Sequence, residues 1–136
     1  MVTLKDMKYN NTLKVIQVNG RCPSKAAKGA ALYSERIKAK AREKIKIPFK
    51  TDVGVILDLF YEGSKTRPDI DNVEKLILDS LKGTAFQDDK QVVESEKKLH
   101  DTTTIMEFEN QPIFLIDPLM EGISEYCVIR IHEKRQ

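Results

Sequence analysis

The chain has no tryptophan and only two cysteines and two histidines in 136 residues. Cys22 and Cys127 are far apart along the chain, without a CxxC pair or a histidine at the spacing of a zinc site. In a chain that we expect to be cytoplasmic, such cysteines predict reduced, structural thiols. A disulfide framework or a cysteine and histidine metal site is therefore disfavoured as the organising feature.

Long hydrophobic runs are also missing. No apolar run approaches the roughly 20 residues of a membrane span, and the first residues, Met1 to Asp6, lack the apolar segment of a signal peptide. Glycine and proline are few, and the chain is 40% hydrophobic. We therefore expect no membrane partner and one globular domain over residues 1–136.

The net charge of +2 conceals an uneven distribution. Between Arg21 and Lys50, ten basic residues face only two acidic ones. An apolar series at helical spacing predicts a helix over about residues 26–45. Its basic remainder is either a solvated surface or a face that contacts phosphates, and the single sign of the excess favours the second.

Four further segments have the alternation of strands. They are residues 13–18, a central strand over 52–61, a polar edge strand over 91–99, and 126–132, with Cys127, Ile129 and Ile131 inward and Arg130 and His132 outward. With two principal helices they predict an α/β (α+β) fold around a mixed sheet of about four strands. Residues 102–125 form a long connection that either covers the sheet or joins a partner subunit.

The stretch over residues 67–83, Arg-Pro-Asp-Ile-Asp-Asn-Val-Glu-Lys-Leu-Ile-Leu-Asp-Ser-Leu-Lys-Gly, is unusually rich in acids. It predicts a helix that begins near Pro68, with capping-box spacing from Asp71 to Glu74 and a C-cap at Gly83. Asp71, Lys75 and Asp79 share its polar face.

A second acidic pair follows, Asp88 and Asp89. The helix rises about 17 Å from Asp71 to Lys82, and the chain from Lys82 to Asp89 spans at most about 23 Å. Asp88 or Asp89 can therefore return to Asp69 and Asp71 if the chain runs back along the helix.

Carboxylates that converge without matching cations repel one another, so such a cluster is typical of a site for a hard divalent ion. Oxygen ligands favour Mg²⁺ or Mn²⁺, and a nearby lysine suits a phosphate substrate. The alternative is that Asp69 and Asp71 cap the helix and that the other acids form a solvated face. No glycine-rich phosphate loop or Gly-x-Ser-x-Gly elbow offers another chemistry.

These residues resemble the signature of RusA-type Holliday junction resolvases, found in phages and prophages. The similarity lies in Arg-Pro-Asp-Ile-Asp-Asn-Val-Glu-Lys from Arg67, then Leu-Asp-Ser-Leu, then Asp-Asp-Lys-Gln-Val from Asp88. The resemblance implies that Asp69, Asp71 and Asp89 bind the metal and that Lys75 is the essential lysine. Asn72, Asp79 and Asp88 would be supporting residues around these ligands.

The resemblance implies a Mg²⁺-dependent endonuclease, with Mn²⁺ possible, that cuts branched DNA at a four-way junction. Such a junction has approximate two-fold symmetry and is cut at two matched places, so a homodimer is expected. Lys65 and Arg67 precede the acidic pair, and Lys25 and Lys28 begin the basic segment; all four are candidate DNA contacts. The alternatives are a non-catalytic DNA-binding protein with a structural acidic cluster, and a nuclease that prefers flaps or forks.

Overall fold

The computed structural model of the protein describes residues 13–104 and 111–134. Its four strands are β1 (Lys14–Asn19), β2 (Val53–Tyr61), β3 (Val92–Asp101) and β4 (Tyr126–Glu133). They form one sheet in the order β1-β4-β2-β3, in which β2 and β3 are parallel and the other neighbours antiparallel. The predicted mixed sheet is confirmed, with β3 at an edge and β2 buried along its whole length.

Among the described residues three helices accompany the sheet, α1 (Ala30–Lys44), α2 (Ile70–Leu81) and α3 (Ile113–Met120), together with a 3₁₀ turn at Asp89–Gln91. Helix α1 starts four residues later than predicted because Gly29 has a φ of 87°, a left-handed conformation outside the helical region. The apolar faces of α1 and α2 pack together on the sheet, where Ile37 and Ile77 are fully buried.

The opposite face of the sheet is covered as well. Leu115 of α3 packs there against Phe60 and Tyr126. The expectation that Arg130 and His132 point outward to solvent is therefore wrong, since they are 8% and 1% exposed.

Two features explain how these polar residues are accommodated. Arg130 donates a hydrogen bond of 2.8 Å to the buried Asp58 carboxylate, which supplies its counter-charge. A Cβ atom at position 54 would lie only 2.5 Å from His132 Nε2, so the glycine at this position leaves room for the His132 ring.

The connection over residues 102–125 contains α3, which covers one face of the sheet as the first of the two alternatives predicted. Its residues 105–110 lie outside the described residues, as do Met1 to Asp6, on which the expectation about a signal peptide rests. None of the helices in the described part is long and apolar enough to cross a membrane.

Both cysteines are free and buried, as predicted for structural thiols. The fold nevertheless brings Cys22 and Cys127 close enough that the Cys127 thiol and burial raise the pKa of Cys22. The Tyr33 hydroxyl lies 3.5 Å from the Cys127 sulfur and joins the same buried group.

Candidate active site

The amino end of α2 is built around Asp69. Its carboxylate accepts hydrogen bonds from the Asp71 backbone N–H at 3.2 Å and from the Asn72 side-chain amide at 3.0 Å. Asp69 is therefore the N-cap, and the predicted capping box from Asp71 to Glu74 is wrong. Because Asp69 satisfies the end of the helix, Asp71 and Glu74 are left to make other contacts.

Asp71 and Glu74 both contact Lys97, which reaches them from β3. The Lys97 ammonium lies 2.7 Å from Asp71 Oδ1 and 2.9 Å from Glu74 Oε1. The hydrogen bond from Lys97 holds the pKa of Asp71 below its ordinary value, and the charge of Lys75 lowers it further. Two carboxylates thus converge on one positive charge.

Sequence reasoning missed Lys97. The signal was the strand alternation: Leu99 packs on the core shared with α1 and α2, and Ser95 donates to Glu74 at 3.3 Å. Position 97, between them on the same face, therefore had to meet α2.

Asp89, in the 3₁₀ turn, lies beside the second half of α2. It lines a cavity of about 230 Å³ with Lys75 and Asp79, and its carboxylate is 3.9 Å from Lys82 Nζ. Asp79 is two turns beyond Asp71, a rise of about 12 Å. Lys75 and Asp89 therefore line one cavity, but among the described residues Asp89 does not form a cluster with Asp69 and Asp71.

The parallel pairing of β2 and β3 explains this difference. The Gln91 side chain donates to the carbonyls of Phe49 and Thr51 at 2.7 and 2.8 Å, which fixes the 3₁₀ turn beside the start of β2. Asp69 instead follows the far end of β2. The return toward Asp71 is therefore made by β3 itself, and it delivers Lys97 rather than Asp89.

Asp88 has a local task in the same turn. Its carboxylate accepts from the Lys90 backbone N–H at 3.0 Å, while the Gln91 side-chain oxygen accepts from the Asp88 N–H at 2.9 Å. This reciprocal capping box stabilises the turn that carries Asp89.

A cavity of about 460 Å³ opens beside Asp69. Ser24, Asn72 and neighbouring residues line it together with three basic side chains, which are those of Arg21, Lys28 and Arg67. Two of the four predicted DNA contacts therefore reach the acidic end of α2. The other two make ion pairs, Lys25 with Asp79 and Lys65 with Glu62 and Glu125.

The oxygen-rich donor set has the chemistry that a hard divalent cation prefers. Within the described ranges, however, no group of three or more histidine, cysteine, aspartate or glutamate side chains could hold a metal ion. One chain alone does not bring the three predicted ligands together, so it does not fit a three-carboxylate site.

A family model described as endodeoxyribonuclease RusA matches residues 14–107. The match takes in β1, α1, β2, α2 and β3 and ends before α3 and β4. No curated protein matches the chain.

Proposed function

Since this chain belongs to the endodeoxyribonuclease RusA family, we propose that it resolves Holliday junctions in DNA recombination and repair. The observation that carries the proposal is the cavity beside Asp69, where three basic side chains face the acidic end of α2. Phosphodiester hydrolysis needs phosphate-binding cations beside carboxylates that can bind a metal, and of the three cations Lys28 and Arg67 would bind the phosphate. Such an enzyme would act with the DNA in the cytoplasm of a cell that carries a phage or prophage.

Phosphate binding is assigned to the cavity and to α1. Lys28 and Arg67 have their side chains at the cavity and would hold the DNA backbone next to Asp69. The basic face of α1 would extend this contact and make affinity depend on salt. Lys25 would add to it, although its ion pair with Asp79 already engages part of its charge, whereas Lys65 is held by Glu62 and Glu125.

Magnesium, or manganese, is the proposed metal, with Asp69, Asp71 and Asp89 as ligands. When bound, the ion would offset the negative charge of the carboxylates and would activate a water molecule for hydrolysis. Asn72 keeps Asp69 oriented through its 3.0 Å hydrogen bond. Lys75, between Asp71 and Asp79 on the polar face of α2, would offset charge that develops on the phosphate.

A second copy of the chain would complete this ligand set. Asp89 lies with Lys75 and Asp79 beside the second half of α2, whereas Asp69 and Asp71 are at its start, so we infer that Asp89 joins them from a partner subunit. A two-fold homodimer suits a four-way junction, which must be cut at two matched positions. The dimer would then place two composite sites on one substrate.

Replacing Asp71 with asparagine tests the proposal. Asp71→Asn keeps the size of the side chain and removes its charge, so we expect cleavage of a synthetic four-way junction in Mg²⁺ or Mn²⁺ to fall about a hundredfold or more. Binding of the junction should change far less. Glu121→Gln, an equal change of charge at an exposed residue, is the matched control.

Cleavage by Asp71→Asn at the wild-type rate would remove Asp71 from the site. A wild-type protein that binds junctions and never cuts them would instead support a DNA-binding protein without catalysis. One observation favours that second candidate: Lys97 already pairs with Asp71 and Glu74 without a metal and offsets one of their two negative charges. A panel of linear duplex, flap and fork substrates distinguishes a junction resolvase from a related nuclease.

A further inference from the structure

Two loops border the cavity beside Asp69, and one buried carboxylate joins them. The first loop follows β1 and carries Arg21; the second, residues 62–68, carries Lys65 and leads into Asp69. Glu125, immediately before β4, reaches both. Its Oε2 lies 3.0 Å from Arg21 Nη1, and its Oε1 lies 3.1 Å from Lys65 Nζ.

Further hydrogen bonds strengthen the contact between these two loops. The Glu62 backbone N–H donates to Glu125 Oε2 at 3.3 Å, and the Gly20 N–H donates to the Glu125 carbonyl at 2.8 Å. Arg21 also donates to the Thr66 carbonyl, so the first loop is tied directly to the second. Glu125 therefore contacts both loops through its side chain and its backbone.

The carboxylate of this contact is buried, whereas its two cations are partly exposed to solvent. The Glu125 side chain is 9% exposed, whereas those of Arg21 and Lys65 are 33% and 53% exposed. A buried carboxylate needs paired cations. The cations, by contrast, face solvent, where DNA phosphates would compete with Glu125 for them.

We propose that Glu125 is a positioning residue that keeps Arg21 and Lys65 bound to the protein and thereby maintains the cavity beside Asp69. This inference rests on the proposed nuclease function. With Glu125 in place, the two cations shape the cavity and contribute little to binding of arbitrary DNA. Without it, Arg21 becomes available to any phosphate, Lys65 keeps only its 2.9 Å ion pair with Glu62, and the loop that leads to Asp69 loses an anchor.

The test compares Glu125→Gln with Glu121→Gln, which removes the same charge at an exposed residue. Each freed cation that contacts a phosphate steepens the salt dependence of duplex binding by about 0.9 in log K against log salt. For Glu125→Gln we expect tighter binding of linear duplex and a slope steeper by about one, because Arg21 is freed while Lys65 keeps its ion pair with Glu62. Junction cleavage should fall about tenfold because the loops are misplaced. Glu121→Gln should match the wild type in both measurements.

The opposite movement of binding and cleavage identifies a positioning role. A purely structural role would lower cleavage without steepening the salt slope, and that result would overturn the inference, as would wild-type values for both. If the wild type cuts no junction, the proposed nuclease function fails, while the duplex salt slope still decides whether Glu125 restrains the two cations.

Arg21→Gln keeps the inference testable if Glu125→Gln does not fold. Arg21 is partly exposed, so its replacement leaves the buried carboxylate with Lys65 as its partner. Because Arg21 is held by Glu125, we expect its loss to lower cleavage and leave the duplex salt slope within about 0.5 of the wild type. A slope shallower by about 0.9 would show that Arg21 already binds phosphates, which would overturn the inference.

Discussion

Asp58 shows how a single charged residue is kept inside the sheet. It is 2% exposed on β2, and its two oxygens lie 2.7 Å from His100 Nε2 and 2.8 Å from Arg130 Nη2. Burial opposes ionisation of Asp58, but the hydrogen bonds from His100 and Arg130 outweigh it and hold its pKa below the ordinary value. This network anchors the sheet face that α3 covers.

We expect Asp58→Asn to lower the free energy of unfolding by about 3 kcal/mol at pH 7, because Arg130 loses the carboxylate to which it donates. Because the pKa of Asp58 is lower in the folded state, its ionisation stabilises the protein at pH values above the unfolded pKa of about 4. This stabilisation is lost as the pH falls through the folded pKa. The difference in the free energy of unfolding between wild type and variant should therefore become smaller below about pH 4.

Urea unfolding at pH 7 and at pH 3 measures this gap, with the exposed Asp52→Asn as the control. An equal gap at both values would show that ionisation of Asp58 contributes nothing to stability. The sequence could not reveal this network, since the three residues are brought together only by the pairing of β2 with β3 and β4.

At the scale of elements, α2 has both a structural and a proposed functional role at its first turn. Asp69 caps the helix, and it is also a proposed metal ligand. Serine caps helices about as well as aspartate but lacks the carboxylate. The two roles can therefore be separated at one position.

Asp69→Ala should lower the free energy of unfolding by about 1 kcal/mol, whereas Asp69→Ser should leave it nearly unchanged. Both variants should lose junction cleavage if Asp69 binds the metal. Thermal unfolding and a cleavage assay on the same preparations measure the two effects. Wild-type cleavage by Asp69→Ser would reduce Asp69 to a helix cap.

Local patterns predicted the elements of the fold well, because alternation and helical spacing are properties of neighbouring residues. Strands β1 to β4 lie within two residues of their predicted bounds. Two further errors, in the environment of Arg130 and the position of Asp89, arose where a distant segment decided the outcome. Helix α3 buries Arg130, and the anchoring of Gln91 beside β2 directs Asp89 away from Asp71.

At the scale of the whole molecule, the separation of Asp71 and Asp89 makes subunit mixing informative. Asp71→Asn and Asp89→Asn should each be inactive alone. In a mixed dimer with composite sites, one site carries both substitutions and the other carries neither. We therefore expect mixed subunits to recover nicking of the junction, at about one quarter of the wild-type rate for random pairing.

Recovery is measured as nicked junction after the two variants, carrying different tags, are refolded together. Mixed dimers without activity would show that Asp89 does not act across the dimer. A protein that stays monomeric at all concentrations in sedimentation would contradict the homodimer itself.

Strand β4 lies between β1 and β2, although it is the last strand along the chain. During synthesis on the ribosome, β1 must wait for a pairing partner more than a hundred residues away, and such nonlocal contacts slow folding. A premature stop codon anywhere before Tyr126 would thus deprive two strands of their neighbour at once and yield a polypeptide destined for proteolysis.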